Sequence, residues 1–308
     1  MRYLRMLSNA VVASLLTSAF IVVLVLDLNP TLRLSPVEPI ALRVGVFYAL
    51  HLIVVWYAVL VVRQVLAREV FSPAWSSVAE LSWMCMLATG GGAALLWANL
   101  QTFRIVLEPA SREALAGGAL VLASCAASCL GVVVARARLI ERGRHIQAVW
   151  LVLTAVVAVV GPAWLRGAAV SARGGTLAPG AVDASIVPEH EGRVVLIAID
   201  GASIDFITSV TAEGRLPNFG TLLDRGAVRR LATLHPTSAD AVWASVSTGK
   251  LPQANGVRSA AIYRLASGGG AIELLPDHCF AHALVRSGVL VEEPHTAASL
   301  RARTVFDI

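Results

Sequence analysis

Five apolar segments limit what this chain can fold into: Ser8 to Leu28, Ile40 to Val62, Ser77 to Leu100, Leu115 to Ala135, and Ile146 to Leu165. Each matches the length of about 20 residues that a helix needs to cross a hydrocarbon core. A helix satisfies its own backbone hydrogen bonds, as lipid demands, so residues 1–166 read as a multi-pass α-helical membrane region. The 308 residues are 56% hydrophobic and 15% charged, too apolar for one ordinary water-exposed domain, and the excess lies in this first half.

The polar residues inside these segments have ordinary explanations. Arg43 and Glu80 lie near segment ends, where long side chains snorkel to the interface, and His51 reads as a packed, hydrogen-bonded residue. Trp75 and Trp97 flank the third segment and Trp150 and Trp164 the fifth, as in an aromatic belt. The runs Gly90-Gly91-Gly92 and Gly117-Gly118 permit close helix contacts.

Arginine placement sets the expected orientation. With the amino terminus inside, inner segments hold Arg2, Arg5, Arg63, Arg68, Arg136, Arg138, Arg142 and Arg144. Outer segments hold Arg33, Arg104 and Arg112, with Arg43 at a boundary, so the positive-inside bias favours a cytoplasmic amino terminus. Five crossings then put everything after Leu165 in the periplasm or outside the cell. The first segment exceeds a signal-peptide core of about 7–15 residues and lacks a small-x-small cleavage site before Asp27, so it reads as an anchor. The net charge of +5 comes mostly from inner loops, and no basic patch with interleaved aromatics suggests nucleic-acid binding. Membrane lipids are the expected surroundings, and oligomeric state is left open. Of four cysteines, only Cys279 lies beyond the membrane segments, which excludes a disulfide within that part of the chain.

Residues 167–191 are rich in Gly, Ala, Ser and Pro and read as a linker. From residue 192 the pattern changes. Val194 to Ile199 is a continuous apolar run ending on Asp200-Gly201, the mark of a strand buried on both faces with a carboxylate at its carboxyl end. Ligands gather at such strand ends in open α/β sheets, and Gly201 lets the backbone approach them. Ile204 to Glu213 reads as a helix, Pro217 opens another that Gly226 stops, Ala227 to Leu234 reads as a second strand, and Asp240 to Ser247 as a short helix ended by Thr248-Gly249. Alternating strands and helices predict an α/β domain.

These blocks carry a resemblance. Val195 to Gly201, Gly214 to Phe219 with Leu222, Gly226 and Ala227, then His235-Pro236-Thr237, Val242-Trp243 and Thr248 to Pro252 resemble the type I phosphodiesterase and nucleotide pyrophosphatase branch of the alkaline phosphatase superfamily. The resemblance covers about the last third of the chain. It implies an alkaline phosphatase-like, mostly parallel sheet, a phosphoester substrate, and two divalent ions, usually zinc, held by Asp and His ligands. Asp200 matches the first of those ligands. Two metals would clamp the attacking and leaving oxygens of phosphoryl transfer, and a hard carboxylate on a strand end suits that task. The competing role for Asp200 is to cap the helix that follows Ser203.

The sequence departs from the family at two places. Four residues before Trp243, where the family has a nucleophilic Thr or Ser, stands Ala239, which leaves Thr237 and Ser238 as candidate catalytic hydroxyls or as caps of the next helix. Asp240 is a further carboxylate beside them. Asn255 stands where the family has a His before Gly256, and Asn-Gly favours a turn. Thr248-Gly249-Lys250 is not a P-loop, because Ala244 replaces the leading Gly and Leu251 the Ser or Thr, so Lys250 reads as a solvated helix-end charge. His278 and His282 share a helical spacing, with His295 further on, but no HExxH pattern supports a metal role.

The downstream Asp and His motifs that complete a two-metal site in the family are not recognisable before Ile308. Residues 192–308 therefore read as the N-terminal part of such a domain, truncated rather than degenerate. The leading expectation is a membrane-anchored, metal-dependent phosphoric ester hydrolase working outside the cytoplasm and incomplete in this chain. The five-segment anchor also resembles lipoteichoic acid synthases and lipid A phosphoethanolamine transferases, which implies a phosphotransferase acting on a lipid or envelope glycan as an alternative. A non-catalytic membrane scaffold with a degenerate domain is the third.

Overall fold

The computed structural model describes residues 2–30, 32, 34–67, 78–138, 144–171, 195–229, 232–266 and 270–306. The first half forms five long helices: α1 (Arg2–Leu28), α2 (Leu34–Ala67), α3 (Val78–Phe103), α4 (Pro109–Arg138) and α5 (Arg144–Ser171). All five are long and apolar enough to cross a membrane, so the chain is a membrane protein. Trp75 and residues 172–191 of the expected linker lie outside the described residues, while α5 continues to Ser171.

The glycines set how closely the helices approach. A Cβ on Gly92 would sit 2.8 Å from Phe20, one on Gly118 3.0 Å from Leu96, and one on Gly161 2.9 Å from Val121. Polar side chains stitch the same bundle. Asn9 of α1 donates to Glu80 of α3 at 2.9 Å, and the Trp56 indole donates to Thr17 at 3.0 Å. Exposed aliphatic side chains on α2 and α5, such as Val54 and Val152, form the faces that lipid would cover. His51 is a surface residue of α2 whose Nδ1 lies 2.8 Å from the Phe47 carbonyl.

By backbone contacts the chain divides into two units, one of Met1–Thr176 with Leu234–Ile308, the other of Leu177–Thr233. In the first unit, the segment after Leu234 contains α8 (Ala239–Thr248), α9 (Pro252–Asn255), β1 (Ala261–Leu265), α10 (His282–Arg286) and β2 (Leu290–Pro294). The two strands pair antiparallel, Ala261 opposite Pro294 and Leu265 opposite Leu290.

This segment is bound to the ends of the membrane helices. Asn29, fully buried just beyond α1, donates to the Val25 carbonyl at 2.8 Å and the Leu274 carbonyl at 2.7 Å, and accepts from the Glu273 and Leu274 amides at 2.8 Å. Asn99 of α3 accepts from the Asp277 amide at 3.0 Å, and the Tyr48 hydroxyl of α2 donates to the Cys279 carbonyl at 2.8 Å. Arg258 donates to Glu273 at 2.7 Å and to the Leu28 carbonyl at 3.4 Å. Ile272, Leu274, Cys279, Leu284 and Leu290 share one apolar cluster with Leu28, Ile40, Leu100 and Phe103. Below this junction, Asp27 is buried with no hydrogen-bond donor on either oxygen and lies within electrostatic reach of Arg166.

The other unit contains α6 (Ile204–Ala212) and α7 (Pro217–Arg225), with Gly226 at the end of α7 as expected. Here the strand expectation needs correction. Residues 195–199 form neither helix nor strand and pair with no strand among the described residues, and Val195 and Ile197 are 79% and 78% exposed. The described part of 227–234 is likewise not a strand, residues 230 and 231 lying outside the description. An apolar run states what a segment would bury, but a ladder needs a neighbour, and neither α6 nor α7 buries a residue. The sheet among the described residues is the two-stranded antiparallel β1–β2 pair, not a mostly parallel one.

Asn29→Leu should strand buried backbone groups of Val25, Glu273 and Leu274, and each such loss costs about 1–3 kcal/mol. We expect a clear fall in unfolding midpoint in detergent and faster amide exchange over 272–279. Burial also pushes the Cys279 thiol up to about 12 from its model-peptide value of 9.0. The folded state therefore holds the proton where the unfolded state has lost it, so this group's contribution to stability falls as pH rises above about 9. Native Cys279 should resist iodoacetamide at pH 8.5 and react once the protein is unfolded.

Candidate functional site

The candidate hydroxyls sit where an extended segment turns into α8. Ser238 is the residue before the helix, with extended backbone, and its carbonyl accepts the first helical bond from Val242 at 3.0 Å. A serine there ordinarily turns its hydroxyl onto the next free amides. Ser238 makes no such bond, and its Oγ is buried without a partner. Thr237 is committed elsewhere, donating to the Leu234 carbonyl at 3.0 Å. Ala239 is the first helical residue and carries no hydroxyl. Between the two candidates, then, the Ser238 hydroxyl is the one left uncommitted, at a helix start whose free amides suit an anion. Asp240, exposed in the first turn, is a negative charge beside that anion position.

The far end of α8 is held by Asn255. Gly249 ends the helix at φ +64°, and Lys250 beyond it is exposed, as a solvated helix-end charge should be. Asn255 is fully buried; its Nδ2 donates to the Lys250 carbonyl at 2.9 Å and to Ser245 Oγ at 3.2 Å, and its Oδ1 accepts from the Val257 amide at 2.8 Å. Both donors and the acceptor of the amide are engaged, so Asn255 works as a structural clasp. Gly256 follows at φ +90°, where a Cβ would meet the Ser299 carbonyl at 2.7 Å. The turn expected of Asn-Gly is present, and Asn255 has no group left over for a ligand.

Asp200 belongs to the other unit. It is exposed, ends the unpaired run 195–199, and precedes Gly201 at φ +69°, a conformation glycine adopts readily. Ser203 precedes α6 without capping it through its side chain. Thr237 and Ser238 are neighbours in one unit and Asp200 stands in the other. Among the described residues, no group of three or more His, Cys, Asp or Glu side chains forms a metal site. His278 Nε2 lies 3.1 Å from Thr102 Oγ1 of α3, and His282 opens α10 after Phe280 breaks the path at φ 50°.

Residues 194–269 match the family model described as type I phosphodiesterase / nucleotide pyrophosphatase. The matched stretch contains Asp200, Thr237, Ser238 and Asn255. No curated protein and no solved structure matches the chain. Sequence reasoning located every block inside the matched stretch. It missed Asn29, Asn99 and Tyr48 as anchors of the segment that follows, and the signal available was the pair of asparagines at the ends of two membrane segments, where apolar residues would be expected.

Asn255→Ala should leave the buried Val257 amide unsatisfied and take the Lys250 carbonyl's partner away, lowering stability by about 1–3 kcal/mol. Asn255→His should fail to restore it, because an imidazole cannot offer two donors and an acceptor from one amide plane. Chemical denaturation of the two variants beside the parent checks both.

Proposed function

We propose that this chain is a membrane-anchored phosphoester hydrolase of the phosphodiesterase type, with Ser238 as nucleophile. The observation that carries the reading is the Ser238 hydroxyl, buried and uncommitted at the start of a ten-residue helix within the stretch that matches the phosphodiesterase family. In this reading Ser238 Oγ gives up its proton and attacks phosphorus, the ester oxygen leaves with a proton from solvent, and water then cleaves the phosphoserine. The free amides at the head of α8 hold the non-bridging oxygens, where backbone donors and the helix dipole favour negative charge.

Two divalent ions, usually zinc, belong to the reading through the family resemblance, with Asp200 as one ligand. They would lower the pKa of the attacking oxygen. The described side chains do not gather a set of ligands for such a pair, so no step above passes through a metal. The mostly parallel, alkaline phosphatase-like sheet is part of the same proposal, as is a location outside the cytoplasm, supported by the arginine bias of the loops. A non-catalytic scaffold is the second reading, favoured by Ala239 at the usual nucleophile position and by the fully engaged Asn255.

Full-length protein with zinc or manganese should hydrolyse bis-p-nitrophenyl phosphate. Ser238→Ala should lower kcat by about a thousandfold or more, in line with loss of a nucleophile, while Thr237→Ala changes it by less than about tenfold. Asp200→Ala should abolish turnover. Equal effects of the two hydroxyl substitutions would remove Ser238 from its role, and an inactive parent protein would favour the scaffold.

A further inference from the structure

The loop 277–281 is pinned directly to two membrane helices. Asn99 of α3 accepts from the Asp277 amide at 3.0 Å, Thr102 Oγ1 of α3 lies 3.1 Å from His278 Nε2, and the Tyr48 hydroxyl of α2 donates to the Cys279 carbonyl at 2.8 Å. These bonds fix the level of the loop along the helices. Tyr48 stands nine residues after Pro39, where the apolar span of α2 begins, or about 13 Å along the axis. That is farther than a tyrosine side chain and one hydrogen bond reach together, so the Cys279 carbonyl lies beside the span and not beyond its end. Arg43, exposed five residues before Tyr48, and Trp97, half exposed two residues before Asn99, mark the interface at this level.

Phe280 projects from this loop. It is 89% exposed between the buried residues Cys279 and Ala281, and it is the one non-glycine residue with positive φ among the described residues, at 50°. A bulky side chain rarely adopts that backbone region, and a phenyl ring left in water gains nothing from burial. The peptide groups around it are nevertheless satisfied, as contact with lipid demands. Besides the Asp277 amide and the Cys279 carbonyl, the Phe280 carbonyl accepts from the Ala283 amide at 2.9 Å and the Ala281 carbonyl from the Leu284 amide at 3.0 Å. The helix that holds the Cys279 carbonyl, α2, exposes Leu42, Val46 and Leu50 on the stretch around Tyr48, so an apolar surface of a membrane-crossing helix adjoins the loop. Exposed charges here have both signs, Arg43 and Arg104 against Asp277, so the ring and not the charge selects the partner.

We propose that Phe280 is a bilayer anchor: the loop 277–281 lies in the headgroup layer, and its phenyl ring inserts among the lipid chains at the edge of the hydrocarbon core, at the depth of about 5–10 Å typical of interfacial apolar side chains. Lipid takes the ring out of water while exposed Asp277 and His282 stay among the headgroups. The segment after Leu234 thereby touches the bilayer itself as well as the helix ends. The contact is independent of the hydrolase chemistry.

The test uses full-length protein in phosphatidylcholine nanodiscs, which leave both faces open to solution. Phe280→Cys is labelled with an environment-sensitive nitrobenzoxadiazole, the four native cysteines being buried, and Glu292→Cys, exposed on β2, is the water-side control. The label at position 280 should emit at shorter wavelength than that at position 292. It should be quenched at least about threefold more by lipid brominated near the glycerol end of its chains, and at least about threefold less by aqueous iodide. If the cysteine variant does not fold, Phe280→Trp, which keeps an aromatic ring, should add fluorescence over the parent that the brominated lipid quenches. A label at position 280 reached by iodide as readily as the control overturns the anchor. Shielding from both quenchers means that protein, such as a second copy of the chain, covers the ring, and overturns the lipid contact as well.

Discussion

The fold of residues 234–306 depends on one side chain, Asn29. It stands where α1 ends, a place at which carbonyls lose their helical partners and must find others before the chain leaves lipid. Its amide bonds its own helix at Val25 and the distant strand-like stretch at Glu273 and Leu274. With those four groups satisfied, Ile272 and Leu274 can bury against Leu28 and Phe103 without leaving peptide groups unpaired. Asn99 and Tyr48 repeat the arrangement on α3 and α2. A membrane anchor is usually a tether; here the helix ends serve as the floor of the segment that follows.

The helices of the bundle approach one another closely. Gly92, Gly118 and Gly161 each face a large side chain at a distance that leaves no room for a Cβ without movement. The Asn9–Glu80 pair removes polar groups from lipid by joining α1 to α3, while the buried Ser14, Ser82 and Thr89 hydroxyls do so by bonding carbonyls four residues earlier in their own helices. At the same end of the bundle as Asn29, Arg166 of α5 donates to the Leu26 carbonyl at 3.1 Å and to the Leu32 carbonyl at 3.2 Å.

The chemistry of the candidate site follows from small local choices. One position decides whether a hydroxyl is available: Thr237 turns back onto Leu234, Ala239 has none, and Ser238 keeps its Oγ out of both solvent and the helix cap. Asn255, by contrast, gives its whole amide to holding α8 against α9. The Asn255-Gly256 turn is thereby fixed, and no group of the Asn255 amide is left over for a ligand.

The sequence by itself determined the five long apolar helices to within six residues at each end, the helices α6, α7 and α8, and the Asn-Gly turn. All of these are set by local period, proline, glycine and capping chemistry. It also singled out Thr237 and Ser238, but not which of them is free, because that depends on where each hydroxyl points. Residues 195–199 form no strand, because strand formation needs a partner that apolar composition does not specify. Only the tertiary structure decided that residues 270–285 rest on the membrane helices. Their anchors are separated by more than 170 residues in sequence, and a hydrogen bond between Asn29 and Leu274 leaves no periodic signal in either segment.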